Sequence, residues 1–404
     1  MSNIRALSGV KVIELATFVA APSCTRFFAD QGADVVKIEA LGGDGTRNAG
    51  LAEGRPELPN ENLTFDIENG NKRGIAMNLK KPECFEILMK LIETADVFIT
   101  NWRPKALIRM GLDYETMKVK FPKLVYGSVT GYGDKGPDKD LPGFDFTAFF
   151  ARSGILGSLY EKGTSPMNLI PSMGDRQVGM ALAAGVLAAL YRAEKSGEGE
   201  KVSVSLLGTA IFSQGTMIQT TQYDMLSFPM TKRESPNPLN CAFETKDGRF
   251  VQLCMPVYHM FPGFAKALGK EEWITDERFK TIEDVMDGNG PALFDTIADY
   301  LKTLTAEQLS EIMTKADIPH SIAQVWKEVL KDPQAWADDC FVDVEYESGT
   351  RTLVRNPVHF AEAGLPEYIK APRLGQHTKE IFSNLGYGEE AISKMLQAGD
   401  IICE

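Results

Sequence analysis

The sequence predicts an α/β fold with a parallel β-sheet, followed by a smaller α+β domain. Two short β-branched runs, at residues 10–15 and 34–40, flank a helical segment and so form a βαβ unit. Strand-like and helix-like segments continue to alternate up to residue 207. Beyond residue 225, the polar segment 231–240 contains prolines and is typical of a linker. The large domain is therefore expected to be Rossmann-like.

The elements of the large domain follow from their residues. Pro22 suits the first turn of the helix inside the βαβ unit, and Gly32 suits its end. The pattern of apolar residues then predicts a helix, strand, helix, strand, helix and strand at residues 82–94, 96–100, 114–121, 124–130, 176–195 and 201–207. Strands that alternate with helices in this way form a parallel sheet.

The later segments predict a second domain and then a return to the first. Residues 243–255 are expected to form a β-hairpin that turns at Asp247 and Gly248, and amphipathic helices follow to about residue 330. Two strand-like segments lie within residues 342–360. We therefore assign the large domain, the small domain and a segment that completes the large domain to residues 1–225, 226–330 and 331–404.

The composition indicates a cytoplasmic globular protein and argues against nucleic-acid or membrane partners. Of the 404 residues, 44% are hydrophobic and 24% are charged. The 43 Lys and Arg residues against 55 Asp and Glu residues give a net charge of −12, and no basic run is present to bind phosphates or anionic lipids. The apolar stretch 180–190 is shorter than the about 20 residues of a membrane span. The first residues do not resemble a secretory signal.

Motifs for metal or dinucleotide binding are not indicated. The six cysteines are scattered without a CxxC pair, as is typical of a reducing compartment. Residues 131–136 match GxGxxG after a strand, but the prolines that follow predict a loop, whereas a dinucleotide site needs a helix there. The four histidines are far apart in the sequence, at His259, His320, His359 and His377.

Gly174 and Asp175 stand at the start of the long Ala-rich helix. A structural interpretation is that Asp175 is the N-cap, where Asp is favoured because it satisfies free N–H groups. A catalytic interpretation is that the helix dipole keeps this carboxylate ionised, so that it can act as a covalent nucleophile. The residues alone do not separate the two interpretations.

Six segments, taken in order, resemble the family III CoA transferases. They are GVKVIELATFVAAPSCTRFFADQGADVVKIEA (9–40), NGNKRGIAMNLK (69–80), TNWRPKALIRMGLDYE (100–115), GYGDKGP (131–137), MGDRQVGMALAAGVLAAL (173–190) and LGQHTKEIFSNLGY (374–387). Because the segments keep their order and extend along essentially the whole chain, the resemblance is far more specific than any single glycine motif.

The resemblance implies a mechanism in which Asp175 attacks an acyl-CoA thioester. The aspartyl anhydride would react with CoA to give an aspartyl-CoA thioester, and an incoming carboxylate would complete the transfer through a second anhydride. An anhydride conserves the activation of the thioester, so the resemblance implies CoA thioesters as substrates and no bound metal or redox cofactor. Water must be kept out, because hydrolysis would destroy both intermediates. The resemblance also implies an interlocked homodimer.

The resemblance assigns site residues position by position. The CoA-binding residues that it implies are Val19, Ala20, Lys37, Ala40, Met77, Asn101, Trp102 and Arg109. The residues that it implies for the acyl pocket are Phe144, Asp145 and His377. The chain departs from formyl-CoA transferase at two of these positions. Ala40 stands in place of an arginine, which removes a phosphate contact, and Val19 stands in place of a catalytic glutamine, which favours a bulkier apolar acyl group.

Further segments resemble the branch of the family that acts on 2-hydroxy acids, at residues 131–154, 159–164, 217–224, 235–238 and 332–339. The reaction implied moves CoA from an enoyl-CoA, such as isocaprenoyl-CoA, to an (R)-2-hydroxy carboxylate, such as 2-hydroxyisocaproate. Cinnamoyl-CoA and phenyllactate form the alternative pair.

Three other functions stay open. An acyl-CoA racemase of this fold would pair Asp175 with a histidine early in the chain, but no histidine precedes His259. A non-catalytic CoA-binding protein would not need an intact Gly-Asp pair. A carnitine-type transferase would need an aromatic or acidic cage for a quaternary ammonium group, and the sequence does not identify one.

Overall fold

The computed structural model describes residues 5–224 and 226–404, which fall into two compact units. The larger unit comprises the described residues of Met1–Ile155, Asn168–Gln219 and Gln334–Glu404, and the smaller comprises those of Leu156–Met167 and Thr220–Pro333. The predicted domain limit at residue 225 lies outside the described residues. Residues 156–167 belong to the smaller unit, whereas the sequence analysis assigns them to the large domain because they are distant in the chain from residues 226–330.

Twelve β-strands are present in the described parts of the chain. They are β1 (Lys11–Leu15), β2 (Asp34–Glu39), β3 (Arg73–Met77), β4 (Val97–Thr100), β5 (Val125–Thr130), β6 (Lys201–Ser205), β7 (Ala242–Glu244), β8 (Phe250–Leu253), β9 (His320–Ile322), β10 (Phe341–Tyr346), β11 (Gly349–Val354) and β12 (Ile401–Ile402).

Eighteen α-helices lie within the same residues, together with a π-helix at Asp145–Ala151. The α-helices are α1 (Ala20–Asp30), α2 (Leu63–Asn69), α3 (Pro82–Glu93), α4 (Pro104–Met110), α5 (Tyr114–Lys120), α6 (Ile155–Ser158), α7 (Met173–Ser196), α8 (Leu206–Ser213), α9 (Gly215–Thr220), α10 (Phe261–Ala267), α11 (Glu272–Thr275), α12 (Ile282–Asp284), α13 (Gly290–Leu301), α14 (Ala306–Lys315), α15 (Trp326–Val329), α16 (Pro333–Ala337), α17 (Thr378–Asn384) and α18 (Glu389–Gln397).

The main sheet has the strand order β12-β3-β2-β1-β4-β5-β6. Strands β1 to β6 are parallel, and β12 pairs antiparallel with β3. The order 3-2-1-4-5-6 is that of a Rossmann sheet, as predicted. Because the order reverses between β1 and β4, the loops that follow these two strands separate and leave a crevice at the carboxyl edge of the sheet.

The elements predicted within residues 10–207 are confirmed to within three residues at their ends, whereas the second strand predicted within residues 342–360 ends earlier, at Val354. The strands at the centre of the sheet are buried on both faces, as their apolar runs indicate, with Val12, Phe98 and Val125 fully buried. The sequence analysis predicts neither β3 nor β12. The first is short and begins with Arg73 and Gly74, and the second has only two residues.

The smaller unit contains a three-stranded antiparallel sheet in the order β7-β8-β9, with helices α10 to α14. The predicted hairpin is confirmed, since β7 and β8 flank a turn in which Gly248 has a φ of 75°. The predicted strands after residue 341 are β10 and β11, which form a separate hairpin. Among the described residues, no helix combines the length and apolar character that a bilayer crossing requires.

Helices α1 and α7 approach closely because Gly179 has no side chain. A Cβ atom at this position would lie 2.1 Å from Oγ of Ser23 and 2.7 Å from the carbonyl oxygen of Ala20. This close approach fixes α7 against the first turn of α1, and thereby positions the beginning of α7 at the carboxyl edge of the sheet.

Substitution of Gly179 should weaken this contact. We expect Gly179→Ala to lower the free energy of unfolding by about 1–3 kcal/mol, because the added methyl group overpacks the interface between the helices. Urea denaturation followed by circular dichroism measures this loss. The matched control is Gly263→Ala in α10, where an added Cβ meets no atom within 4 Å. Equal stability of the two variants would contradict this account.

Candidate active site

A cavity of about 380 Å³ lies at the carboxyl edge of the main sheet, where the strand order reverses. Open α/β sheets bind their ligands at this point. Its wall combines the loops after β1, β4 and β5 with the beginning of α7 and α8. The lining residues are Thr17, Phe18, Ala20, Asn101, Trp102, Arg103, Pro104, Ala106, Val129, Thr130, Gly131, Lys139, Asp140, Leu141, Pro142, Gly143, Phe144, Asp175 and Leu206.

The loops after β1 and β4 are held together by Asn101. Its Oδ1 accepts a hydrogen bond from the backbone N–H of Thr17 (3.1 Å), and its Nδ2 donates to the carbonyl oxygen of the same residue (2.7 Å). Next to it, the Thr100 hydroxyl donates to the carbonyl oxygen of Leu15 (2.8 Å). These bonds fix the width of the crevice between the two strands.

Asp175 lies in the first turn of α7 and lines the cavity. The N-cap residue is Ser172, which has a φ of 68°, so the interpretation of Asp175 as the N-cap is wrong. The residue before Asp175 is a glycine, Gly174, because a Cβ atom at this position would lie 2.5 Å from the ring of Phe149 in the π-helix. Only a glycine allows the π-helix to approach the first turn of α7 this closely.

The surroundings of Asp175 favour its protonated form. Burial raises its pKa, and the negative charges of Asp145 and Glu68 raise it further. The guanidinium of Arg176 opposes them, but it is already paired with Glu68 at 2.8 Å. The resulting pKa is about 7, well above the usual 3.8 of an aspartate.

Two phenylalanines form an apolar part of the cavity wall. The rings of Phe18 and Phe144 meet edge to face, with centroids 5.6 Å apart and an interplanar angle of 90°. Large parts of both side chains are nevertheless exposed, 44% of Phe18 and 53% of Phe144. An apolar ligand in the cavity could cover these surfaces.

The model of one protein family, described as CoA-transferase family III, matches residues 7–378 of this sequence. The chain belongs to CoA-transferase family III. The match includes the loops after β1, β4 and β5 and the first turn of α7, so the family III region contains the complete wall of the cavity.

Relatives with known names support this membership along the entire chain. This chain is 49% identical to the cinnamoyl-CoA:phenyllactate CoA-transferase of Clostridium sporogenes, across 99% of its own length and 98% of the relative. It is 45% identical to the (R)-2-hydroxy-4-methylpentanoate CoA-transferase of Clostridioides difficile, across 96% and 97%. A solved CaiB/BaiF family structure from Brucella suis is similar with a TM-score of 0.79 at 26% identity, across 94% and 99%. The predicted family and enzyme class are confirmed.

The structure brings some of the residues implied by the family III resemblance to the cavity, and not others. Those that line it are Ala20, Asn101, Trp102, Phe144 and Asp175. Those that do not are Val19, Lys37, Ala40, Met77, Arg109, Asp145 and His377. Val19 and Met77 are buried in the core, whereas Ala40 and Arg109 are exposed outside the cavity. Asp145 is also buried, and acts on Asp175 through its charge.

Lys37 does not face the cavity, contrary to its predicted role as a CoA contact. Its Nζ lies 2.7 Å from Oε1 of Glu14 and 3.0 Å from Oδ2 of Asp44, and it donates to the carbonyl oxygen of Ala16 at 3.0 Å. These three acceptors occupy its three N–H groups, and the side chain is fully buried. A lysine at the end of a parallel strand resembles a ligand contact in the sequence, but here it is structural.

Glu14 is the centre of this buried group of charges. Its second oxygen, Oε2, lies 2.8 Å from Nζ of Lys72, which is also fully buried. Burial alone would raise the pKa of Glu14, but the ammonium groups of Lys37 and Lys72 outweigh that effect and lower it to about 2.

His377 is likewise structural and does not belong to the acyl pocket. Its Nδ1 accepts a hydrogen bond from the backbone N–H of Gly74 (3.1 Å), and its own backbone N–H donates to the carbonyl oxygen of Gly74 (3.0 Å). Burial lowers the pKa of this imidazole. The two bonds attach the segment before α17 to β3.

The sequence analysis did not identify several residues that line cavities. Phe18 is the most prominent, and nothing in the sequence reveals its unusual backbone conformation, with a φ of 61°. A shallow depression of about 270 Å³ near the start of α3 is lined by Lys80, Lys81 and Met110 among others. The pair of lysines before Pro82 is a signal that could have indicated an anion-binding surface.

A metal centre was not predicted. Within residues 5–224 and 226–404, no group of three or more His, Cys, Asp and Glu side chains is placed to hold a metal ion.

Neutralisation of Glu14 should destabilise the fold. We expect Glu14→Gln to lower the free energy of unfolding by about 3–5 kcal/mol at pH 7, because two buried ammonium groups lose their shared carboxylate. The pKa of Glu14 is depressed in the folded protein, so its contribution is present above about pH 4.5 and is lost as the pH falls towards 2. Urea denaturation at pH 7 and at pH 3 measures both effects.

The control for this variant is Glu86→Gln, which removes an exposed pair with Lys90. Its denaturation midpoint should stay close to that of the unmodified protein. If Glu14→Gln were as stable as this control, the buried charges would not hold the carboxyl edge of the sheet together.

Proposed function

We propose that this family III enzyme moves CoA from an enoyl-CoA to an (R)-2-hydroxy carboxylate with an apolar side chain. One observation carries the proposal: the carboxylate of Asp175 lines the same cavity as the exposed aromatic pair Phe18 and Phe144. The cavity therefore offers a nucleophile and an apolar surface to one bound acyl group.

The two named relatives support this substrate class. Both of their names specify 2-hydroxy acids with apolar side chains, one aromatic and one branched. The proposed pair is isocaprenoyl-CoA and 2-hydroxyisocaproate, and the alternative is cinnamoyl-CoA and phenyllactate. The alternative is favoured by the aromatic wall of the cavity and by the identity of 49% with the phenyllactate enzyme.

The proposed reaction begins when a carboxylate oxygen of Asp175 attacks the thioester carbonyl carbon of the donor. The carbon–sulfur bond breaks, and CoA thiolate leaves a mixed anhydride on the enzyme. The thiolate then attacks the aspartyl carbonyl carbon and releases the donor acid, which gives an aspartyl-CoA thioester. The acceptor carboxylate displaces the thiolate to form a second anhydride. Attack of the thiolate on its acyl carbon releases the new acyl-CoA and the free carboxylate of Asp175.

The remainder of the CoA molecule requires cationic groups outside the cavity. We propose that its phosphates extend towards Lys80 before α3, where the depression beside Met110 provides an accessible surface. The neighbouring Lys81 is already paired with Asp400 at 3.0 Å. Lys80 lies three residues after the end of β3, at the same carboxyl edge of the sheet as the cavity.

A homodimer is part of this proposal. Helices α8 and α9 expose several large apolar side chains, which is typical of a surface that another subunit covers. The exposed side chains are Ile211, Phe212, Met217 and Ile218.

The covalent step can be tested by trapping. We expect incubation with isocaprenoyl-CoA or cinnamoyl-CoA and hydroxylamine to convert Asp175 to a hydroxamate, because hydroxylamine attacks its activated carbonyl carbon. Peptide mapping by mass spectrometry locates the modification, and the donor that labels faster identifies the substrate branch. Asp175→Asn should lose the label and at least about 10³-fold of the transferase rate.

Asp140→Asn is the control, since Asp140 also lines the cavity but belongs to an exposed pair with Lys105. It should keep the label on Asp175. A transferase that turns over with Asn at position 175 would overturn the proposal. Solvent exchange of the α-proton of an acyl-CoA, without any adduct, would point instead to the racemase.

The pH dependence of the rate should report the pKa of Asp175. Because only the carboxylate attacks the thioester, we expect kcat/KM to fall below pH 7, where this group becomes protonated. Asp145→Asn removes a nearby negative charge, lowers the pKa of Asp175 and should move the acid limb of the profile to lower pH. Initial rates measured from pH 5 to 9 test this expectation.

Asp140→Asn again provides the comparison, because Asp140 is not among the charges that raise the pKa of Asp175. Its acid limb should coincide with that of the unmodified enzyme. An acid limb that moves to higher pH in Asp145→Asn would contradict the stated direction of the electrostatic effect.

A further inference from the structure

We infer that Phe18 determines the specificity of the enzyme for the acyl group of its donor, and that Asp44 is the positioning residue that holds Phe18 in place. The inference rests on the proposed function and names the part of the cavity that recognises the substituent beyond the enoyl thioester.

Phe18 has a backbone conformation that its side chain disfavours. Its φ of 61° lies in the left-handed region, which is uncommon for bulky residues and persists only where the surroundings enforce it. A smaller residue or a glycine would adopt this turn more easily. The phenylalanine ring therefore does not stabilise the backbone conformation of this turn.

Asp44 provides the constraint. The backbone N–H of Phe18 lies 3.2 Å from each carboxylate oxygen of Asp44. The carboxylate is buried and fixed on its other side by Nζ of Lys37 at 3.0 Å and by Thr46, whose backbone N–H and hydroxyl donate to Oδ1 at 3.0 and 2.8 Å. Because Lys37 is itself bound to Glu14, the position of Phe18 is connected to the fully buried charges of the core.

The ring of Phe18 is also held from two sides. It meets the ring of Phe144 edge to face at 5.6 Å, and it lies over Gly45, where an added Cβ would be 3.2 Å from its Cζ. The part that remains exposed lines the cavity that Asp175 also lines. A rigid aromatic surface so placed favours donors with a large apolar group over those with a small one.

Two donors with the same enoyl thioester test this inference, namely cinnamoyl-CoA and crotonyl-CoA, which differ only in the group on C3. The quantity measured is the ratio of kcat/KM for cinnamoyl-CoA to that for crotonyl-CoA. We expect Phe18→Ala to lower the ratio about tenfold, mainly through the cinnamoyl-CoA rate, because the phenyl group loses its contact. Trp326→Ala removes another exposed aromatic residue, one outside the cavity, and should leave the ratio unchanged.

Asp44→Asn should lower the same ratio while kcat for crotonyl-CoA is retained, and it should have no further effect on the ratio in a Phe18→Ala background. Gly45→Ala displaces the ring without changing a charge and should lower the ratio as well. If Asp44→Asn does not fold, Gly45→Ala takes its place in the test. A purely structural role of Asp44 would lower both rates equally.

The outcomes separate the inference from the proposed function. If the unmodified enzyme uses none of isocaprenoyl-CoA, cinnamoyl-CoA and crotonyl-CoA and Asp175 is not labelled, the proposed function fails, and the inference fails with it. If the enzyme uses isocaprenoyl-CoA but not cinnamoyl-CoA, the same ratio is measured for isocaprenoyl-CoA against crotonyl-CoA. If the unmodified enzyme is active and Phe18→Ala leaves the ratio unchanged, or lowers both rates equally, the inference alone is overturned.

Discussion

The shared carboxylate of Glu14 is the interaction on which the carboxyl edge of the sheet depends. It lies between the fully buried ammonium groups of Lys37 and Lys72, which belong to β2 and to the residue before β3. Buried charges are costly to leave unpaired, so the three strands must keep their register for the group to exist. The register of these strands sets the positions of the loops that follow them, and the loop after β1 borders the candidate active site.

Several close contacts fix the positions of the loops and helices that form the cavity. Asn101 holds the loops after β1 and β4 together, and Gly179 allows α7 to lie directly against α1. Gly174 permits the π-helix to approach the first turn of α7. Asp175 thus owes its position to contacts made by neighbouring residues. It owes its raised pKa first to burial and then to the charges of Asp145 and Glu68.

Much of the fold can be predicted from the sequence, but less of the candidate active site can. Alternating strands and helices predict the Rossmann sheet, since apolar runs directly reflect burial on both faces. The position of Asp175 follows from the family motif. Burial of individual charges cannot be read in this way, so Lys37 and His377 resemble ligand contacts until their partners, distant in the chain, are visible. The left-handed backbone of Phe18 also depends on an acceptor from another loop.

The two phenylalanines of the cavity wall differ in how they are attached. Phe18 is bound through Asp44 and Lys37 to the buried charges, whereas Phe144 stands at the beginning of the π-helix, where its backbone N–H and carbonyl bond only to the neighbouring Thr147 hydroxyl and to the helix itself. Phe18 is consequently anchored to the core, whereas Phe144 is not. Protein engineering aimed at new acyl groups would therefore begin with libraries at Phe144, where the shape of the cavity is separable from the integrity of the core.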